Sequence, residues 1–222
     1  MRKKIFYAGV LLTSAMFMLG NAGAVYAAGE VSGTGYSEYD EILSKYYEGV
    51  SAGWDMQQLE ENGLNYLFSY EPDVNTLGYC VKDIDNDGTE ELFIGKMNNQ
   101  GNYAEMLYDM YTMTDGKAVQ VLTSGERDRY FLCSDNKIAN EGSGGAMNSI
   151  WSYYNYKEGK MEVIETVFTD GYRDEQNPWF YTSSGDLSDY STPITEEEGR
   201  SIISNYEYVT DLYSPVTELN LN

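Results

Sequence analysis

The sequence predicts an α+β fold, a single blade-like antiparallel β meander packed by N-terminal helices and a C-terminal helix. Three observations predict it. Apolar and aromatic residues recur at helical spacing over residues 37–70, short apolar runs broken by Asp, Asn and Gly fill residues 77–182, and a capping pair opens a last helix over residues 195–206.

Ahead of the folded part, Arg2, Lys3 and Lys4 precede an apolar stretch from Ile5 to Leu19 and small residues ending Val25-Tyr26-Ala27. That is the three-part layout of a secretory signal peptide over residues 1–27, and export with cleavage near Ala27 is expected. Gly9, Thr13 and Ser14 interrupt the apolar stretch and no second one follows, so no membrane span is expected in the mature chain. Residues 28–36 are a Gly/Ser/Thr linker, and residues 37–222 are long enough for one domain with a sizeable core.

Ser37 is the expected N-cap of the first helix, forming an approximate capping box with Asp40, and Tyr39, Ile42, Leu43, Tyr46 and Tyr47 make its apolar stripe. A second helical segment runs from Asp55 to about Tyr70 with Met56, Leu59, Leu64, Leu67 and Phe68 inward. Gly63 weakens and can split it, and Pro72 ends it.

From Leu77 the period changes. Asp115-Gly116-Lys117, Asp135-Asn136-Lys137 and Glu158-Gly159-Lys160 each divide one apolar or aromatic run from the next, as hairpin turns of a meander do. Gly142-Ser143-Gly144-Gly145 lacks both the G-x-S-x-G spacing and a Walker lysine, and reads as a flexible connection between strands. Thr195 and Glu198 form the capping box of the last helix, with Ile202, Ile203 and Tyr206 inward, and Val209–Asn222 can add an edge strand or fray.

Composition narrows the chemistry. The chain has a formal charge of −22, and removing Arg2, Lys3 and Lys4 leaves 11 basic against 36 acidic residues, or −25. Phosphate and anionic membrane surfaces would repel it, so nucleic acid is not an expected partner, whereas cations are. Aromatic residues at 14%, with 22 tyrosines, supply ample surface to bury. The chain has no histidine, which removes Ser-His-Asp and Cys-His nucleophiles and the usual zinc sites. Cys80 and Cys133 lie in strand-like segments and either close a disulfide, if those strands are neighbours, or remain two buried thiols.

The densest chemical signal is Asp83-Ile84-Asp85-Asn86-Asp87-Gly88-Thr89-Glu90-Glu91-Leu92. Carboxylates at every second residue repel one another, and a hard cation with six to eight oxygen ligands relieves that repulsion. With Asp83 as position 1, Asp85 and Asp87 fall at 3 and 5, Gly88 turns at 6, the Thr89 carbonyl serves at 7 and Glu91 at 9. Position 12 of an EF-hand would be Ile94, inside the strand-like run Leu92-Phe93-Ile94, so this is a calcium loop between strands. An Asp-Gly turn can also exist simply to solvate a hairpin.

The loop is similar to the D-x-D-x-D-G loops of FG-GAP and integrin-type β-propeller repeats and, in its first half, of dockerins. That resemblance implies that Asp83, Asp85, Asp87, Thr89 and Glu91 bind Ca²⁺. The mature chain also resembles a group of small secreted or lipid-anchored proteins of Gram-positive bacteria, through Tyr46-Tyr47, Gly78-Tyr79, the acidic loop, Asp128-Arg129-Tyr130, Ile138-Ala139-Asn140-Glu141-Gly142 and Thr192-Pro193-Ile194-Thr195-Glu196-Glu197-Glu198. This resemblance implies export and the calcium loop and brings no catalytic assignment.

Two further sets of residues are candidates for ligand chemistry. Trp151, Tyr153 and Trp179 can stack on sugar rings or pack in the core. Asp170, Asp174 and Glu175 beside Trp179, Phe180 and Tyr181 are the first choice for a carboxylate-dependent hydrolase, against a plain reading as solvated loop acids. The expectation is a secreted, monomeric calcium-binding protein acting as a binding or surface-interaction module toward an extracellular glycan or protein. The alternative is a hydrolase of glycan or peptidoglycan.

Overall fold

The computed structural model describes residues 33–98 and 103–219. The expected signal peptide and the first part of the linker therefore lie outside the described residues. Helices α1 (Ser37–Ser51) and α2 (Met56–Glu61) are followed by strands β1 (Leu77–Lys82), β2 (Glu91–Lys96), β3 (Met106–Thr114), β4 (Lys117–Thr123), β5 (Asp128–Leu132), β6 (Ile138–Gly145), β7 (Asn148–Lys157), β8 (Lys160–Thr169) and β9 (Trp179–Thr182), then by α3 (Glu196–Ile203) and the short β10 (Ser214–Pro215). All strands join one antiparallel sheet in the order β10-β1-β2-β3-β5-β6-β7-β8-β9, with β4 on β3.

The α+β class with a β meander is thus what the chain folds into, and the hairpin turns fall where the Asp/Asn/Gly signals place them. Asp115 and Gly116 (φ 51° and 74°), and Glu158 and Gly159 (φ 48° and 78°), take the left-handed conformations that two-residue hairpins demand. One departure from a flat blade lies in β3. Asp109–Thr114 pair with β4 while Met106 and Leu107 pair with β5, so two strands share one edge of β3.

That shared edge lets the sheet carry two cores. Leu92 and Ile94 of β2 face Tyr39, Leu43 and Tyr46 of α1, whereas Phe93 faces Ile84, Leu132, Ile138 and Tyr156. One face of the first strands is covered by helices and the other by the later strands and by Tyr213 of the tail. β2, buried at every position from Glu91 to Gly95, is the strand between them. At 25 cal/mol per Å², each large apolar side chain buried there contributes roughly 2 kcal/mol.

The helices differ in detail from the periodicity. α1 begins after Tyr36 with no side-chain cap; Ser37 Oγ donates to Glu38, and Asp40 turns back to accept the Thr34 N–H at 2.7 Å. Tyr47 is 42% exposed, and Gly49 and Val50 take the inward places, because a 3.6-residue period drifts off the Tyr46-Tyr47 pair within one turn. The second segment divides at Gly63 (φ 72°): α2 is capped by an Asp55–Gln58 box, a 3₁₀ turn covers Tyr66–Ser69, and Met56 points outward while Leu59, Leu64, Leu67 and Phe68 are buried. Residues 142–145 are not a flexible connection but the end of β6, paired with β7. Gly142 serves there by clearance, since a Cβ would lie 3.3 Å from Ile150. The Thr195–Glu198 capping box of α3 forms, and Gly199 lets the helix approach Trp179.

Candidate cation site in the β1–β2 loop

β1 and β2 are paired to their ends, Lys82 opposite Glu91, so the acidic residues 83–90 are a loop whose two ends are fixed by the ladder. Asn86 (φ 61°) and Gly88 (φ 91°) take the left-handed conformations that fold it tightly. The acids then cap their own turn. Asp83 accepts the N–H groups of Asn86 at 2.7 Å and Gly88 at 3.0 Å, Asp85 accepts that of Asp87 at 3.1 Å, and Asp87 accepts that of Thr89 at 2.6 Å.

Glu91 is of another kind. It is fully buried, and its carboxylate accepts from the Ile84 N–H at 3.2 Å and from the hydroxyls of Thr112 and Tyr156, each at 3.1 Å. All of these donors are neutral, and none of the ion pairs among the described residues involves Glu91. Burial pushes its pKa up to about 7, with the three hydrogen bonds pulling it down and the Asp85 charge pushing it further up. One carboxylate oxygen from each of Asp83, Asp85 and Glu91 lies within 4.8 Å of the others. Asp87 is not part of that trio, and Thr89 follows on the same turn.

These residues fit a hard cation. The donors are all oxygen, as Ca²⁺ prefers, and a buried carboxylate facing two more carboxylates is costly unless a positive charge balances it. Sequence alone located the loop residues but missed three partners from remote parts of the sheet, two on strands and one in a turn. Thr112 and Tyr156 hold Glu91, and the Glu158 N–H of the β7–β8 turn donates to Asp85 Oδ2 at 2.7 Å. The alternating pattern of β7 could place Tyr156 on a face, but only the fold of the sheet brings that face to Glu91.

The other expected sites resolve differently. Cys80 and Cys133 are free thiols in separate core clusters, and burial pushes their pKa values up to about 11 and about 12. Trp151 and Trp179 stack on each other with ring centres 5.6 Å apart, and Arg200 covers Trp179. Tyr153 is fully buried and stacks on Tyr206. Tyr153 and Trp179 are thus buried in the core, and Trp151 keeps part of its surface exposed.

Asp170 is held below the usual carboxylate range by the Tyr190 hydroxyl and by backbone N–H groups, and Asp174 caps Gln176 and Asn177, while Glu175 is exposed beside them. A general acid needs the opposite shift. No protein-family model matches the chain, no curated protein matches it, and no solved structure matches its fold. No helix among the described residues is long and apolar enough to cross a membrane.

Proposed function

We propose that this chain is a secreted calcium-binding protein, a binding or surface-interaction module whose Ca²⁺ is structural and held by Asp83, Asp85, Asp87, the Thr89 carbonyl and Glu91. The observation that carries the reading is Glu91, a buried carboxylate with neutral partners whose oxygens converge with those of Asp83 and Asp85. Tyr156 and the Glu158 N–H reach the same ligands from the β7–β8 hairpin, so the ion would tie the first hairpin to one more than 60 residues later. Export belongs to the same reading through the layout of residues 1–27.

Extracellular modules bind calcium with dissociation constants of roughly 0.1–1 mM, so a site of this kind is at least about half filled outside a cell at about 1 mM calcium. Isothermal titration of the chelator-stripped protein with CaCl₂ tests the proposal, and a saturable heat with one ion per chain is expected. Absence of heat, with melting curves that coincide in chelator and in calcium, overturns it.

A further inference from the structure

The edges of the sheet are finished in different ways. β1 carries β10 along Gly78 and Tyr79. β9 is bridged by the segment that follows it, with the Tyr181 N–H donating to the Thr192 carbonyl and the Ile194 N–H to the Trp179 carbonyl, each at 3.0 Å. β4 has no such cover. It is the longest strand with a single neighbour, β3, and among the described residues no other backbone pairs with it.

The hairpin turn decides which groups are left over. Asp115-Gly116 closes β3–β4 with a two-residue turn, so Thr114 and Lys117 form a hydrogen-bonded pair, while Met113–Ala118 and Tyr111–Gln120 are pairs of the other kind. Ala118 and Gln120 therefore turn their N–H and C=O groups away from β3, and no backbone group among the described residues bonds them from that side.

There is room beside them. A cavity of about 440 Å³ lies between β4 and the α2–3₁₀ connection, with Gln120 and Thr123 on its β4 side and Leu64 and Asn65 on the other. Its charged lining residues are Glu60 and Asp128, both exposed. The opposite face of the edge is apolar, because Val119 alternates with Gln120 and is 46% exposed. Lys117, the one basic residue of β4, lies on that Val119 face, away from the two acids.

We propose that β4 takes an extended basic segment of a partner protein as an added strand, its backbone pairing with Ala118 and Gln120. Alternate side chains of that segment lie beside Val119, and the basic ones between them reach into the cleft toward Glu60 and Asp128. The unpaired donors and acceptors of β4 select a polypeptide strand, and the charge of the cleft selects a basic one. A second copy of this chain fits less well, because it brings the same excess of 36 acidic over 14 basic residues. The proposal rests on the reading of this chain as a binding module and is independent of the calcium loop.

Backbone amide NMR spectra and hydrogen exchange of the calcium-saturated full chain, at about 0.15 M salt, read the binding. The probes are acetyl-Lys-Val-Lys-Val-Lys-amide, its acidic counterpart acetyl-Glu-Val-Glu-Val-Glu-amide, and the lysine peptide N-methylated at each of its backbone residues. Saturable shifts at Ala118 and Gln120 are expected with the lysine peptide, with exchange of those two amides slowed at least about tenfold at saturation, and neither control should bind. Ala118→Pro removes one outward N–H and keeps the β3 ladder, so it should weaken binding about fivefold, the scale for one backbone hydrogen bond. Glu60→Gln with Asp128→Asn should weaken it about threefold, the scale for an exposed ion pair.

Lack of saturation with the lysine peptide overturns the proposal, as does equal affinity for either control peptide or for a folded Ala118→Pro variant. Shifts at Met161 and Val163 of β8 in place of Ala118 and Gln120 overturn it as well. Should Ala118→Pro not fold, the N-methylated peptide tests the backbone pairing by itself. Sedimentation of the protein alone as a dimer that Ala118→Pro dissociates would assign the edge to a second copy and overturn the proposal. A lost peptide response with an intact CaCl₂ titration removes this inference alone, and the reverse result removes the calcium site alone.

Discussion

Two acid-rich segments of this molecule, residues 83–91 and residues 170–189, use the same local device and end with different chemistry. In both, aspartates cap the backbone of their own turns: Asp83, Asp85 and Asp87 in the first, Asp170, Asp174, Asp186 and Asp189 in the second. In the second segment the capping completes the account. Hydrogen bonds from Tyr190, Ser188 and Ser191 hold Asp170, Asp186 and Asp189 below the ordinary range, and none of the three is buried. In the first segment a strand delivers Glu91 under the turn, buried and raised to about 7. Acid density is common to both, and only the buried carboxylate makes one of them a candidate cation site.

Glu91→Ala strands the Thr112 and Tyr156 hydroxyls and the Ile84 N–H in the core, and should cost roughly 3–4 kcal/mol in denaturant unfolding while erasing any response to calcium. A loss below about 1 kcal/mol would place Glu91 outside the core network described above.

The pH response is expected to be nearly as large, and its sign follows from Glu91. Folded Glu91 keeps its proton up to about 7 whereas the unfolded side chain releases it near 4.5, so in chelator the stabilisation is complete below 4.5 and is lost as pH rises through 7. The loss is on the order of 3 kcal/mol. Asp109, raised by burial against its hydrogen bonds, adds to the slope in the same direction, and Glu91→Gln isolates the Glu91 share. Calcium binds the ionised form, so it should cancel the Glu91 share above pH 7. A melting temperature that rises in chelator between pH 5 and 8 contradicts this assignment.

Asp85→Ala and Asp87→Ala sharpen the contrast. Calcium at tenfold over its dissociation constant should stabilise the parent by about 1.4 kcal/mol, and neither variant should retain the corresponding rise in melting temperature. A retained rise in Asp87→Ala would restrict the ligands to Asp83, Asp85 and Glu91. The smallest effect is expected in the other segment. Asp174→Ala removes a turn cap, costs about 1 kcal/mol or less, and should leave the calcium response of the melting curve untouched.

Most of the fold was legible because its signals are local. Asp115-Gly116 and Glu158-Gly159 mark turns by the backbone conformation they tolerate, and Thr195 with Glu198 marks a helix start by a bond that closes within four residues. The misreadings have local causes as well. Ser37 has the chemistry of a cap but donates to Glu38, and Gly142–Gly145 has the composition of a loop but lies in a strand whose neighbour needs the clearance. Of the candidate site, the sequence identified every carboxylate and no support. Thr112, Tyr156 and the Glu158 N–H reach the loop through a sheet that turns over itself at β3, and no spacing in the chain encodes that meeting. For the same reason no spacing in the chain encodes the stacking of Trp151 on Trp179, whose strands lie two apart in the sheet.

The pairing of Ser214 and Pro215 with Tyr79 and Gly78 has a consequence for how the chain assembles. Apart from the bridge between Cys133 and Tyr208, the other pairings join segments that follow closely in sequence, so they can zip as the polypeptide emerges N-terminus first. The outer side of Gly78 and Tyr79 in β1 is paired only once residues 212–215 arrive, when Glu105 grips the Leu212 and Tyr213 amides and sets the strip in place. Without that strip Gly78 and Tyr79 would lose their partner on that side of β1, lengthening an edge of the kind to which neighbouring strands can add.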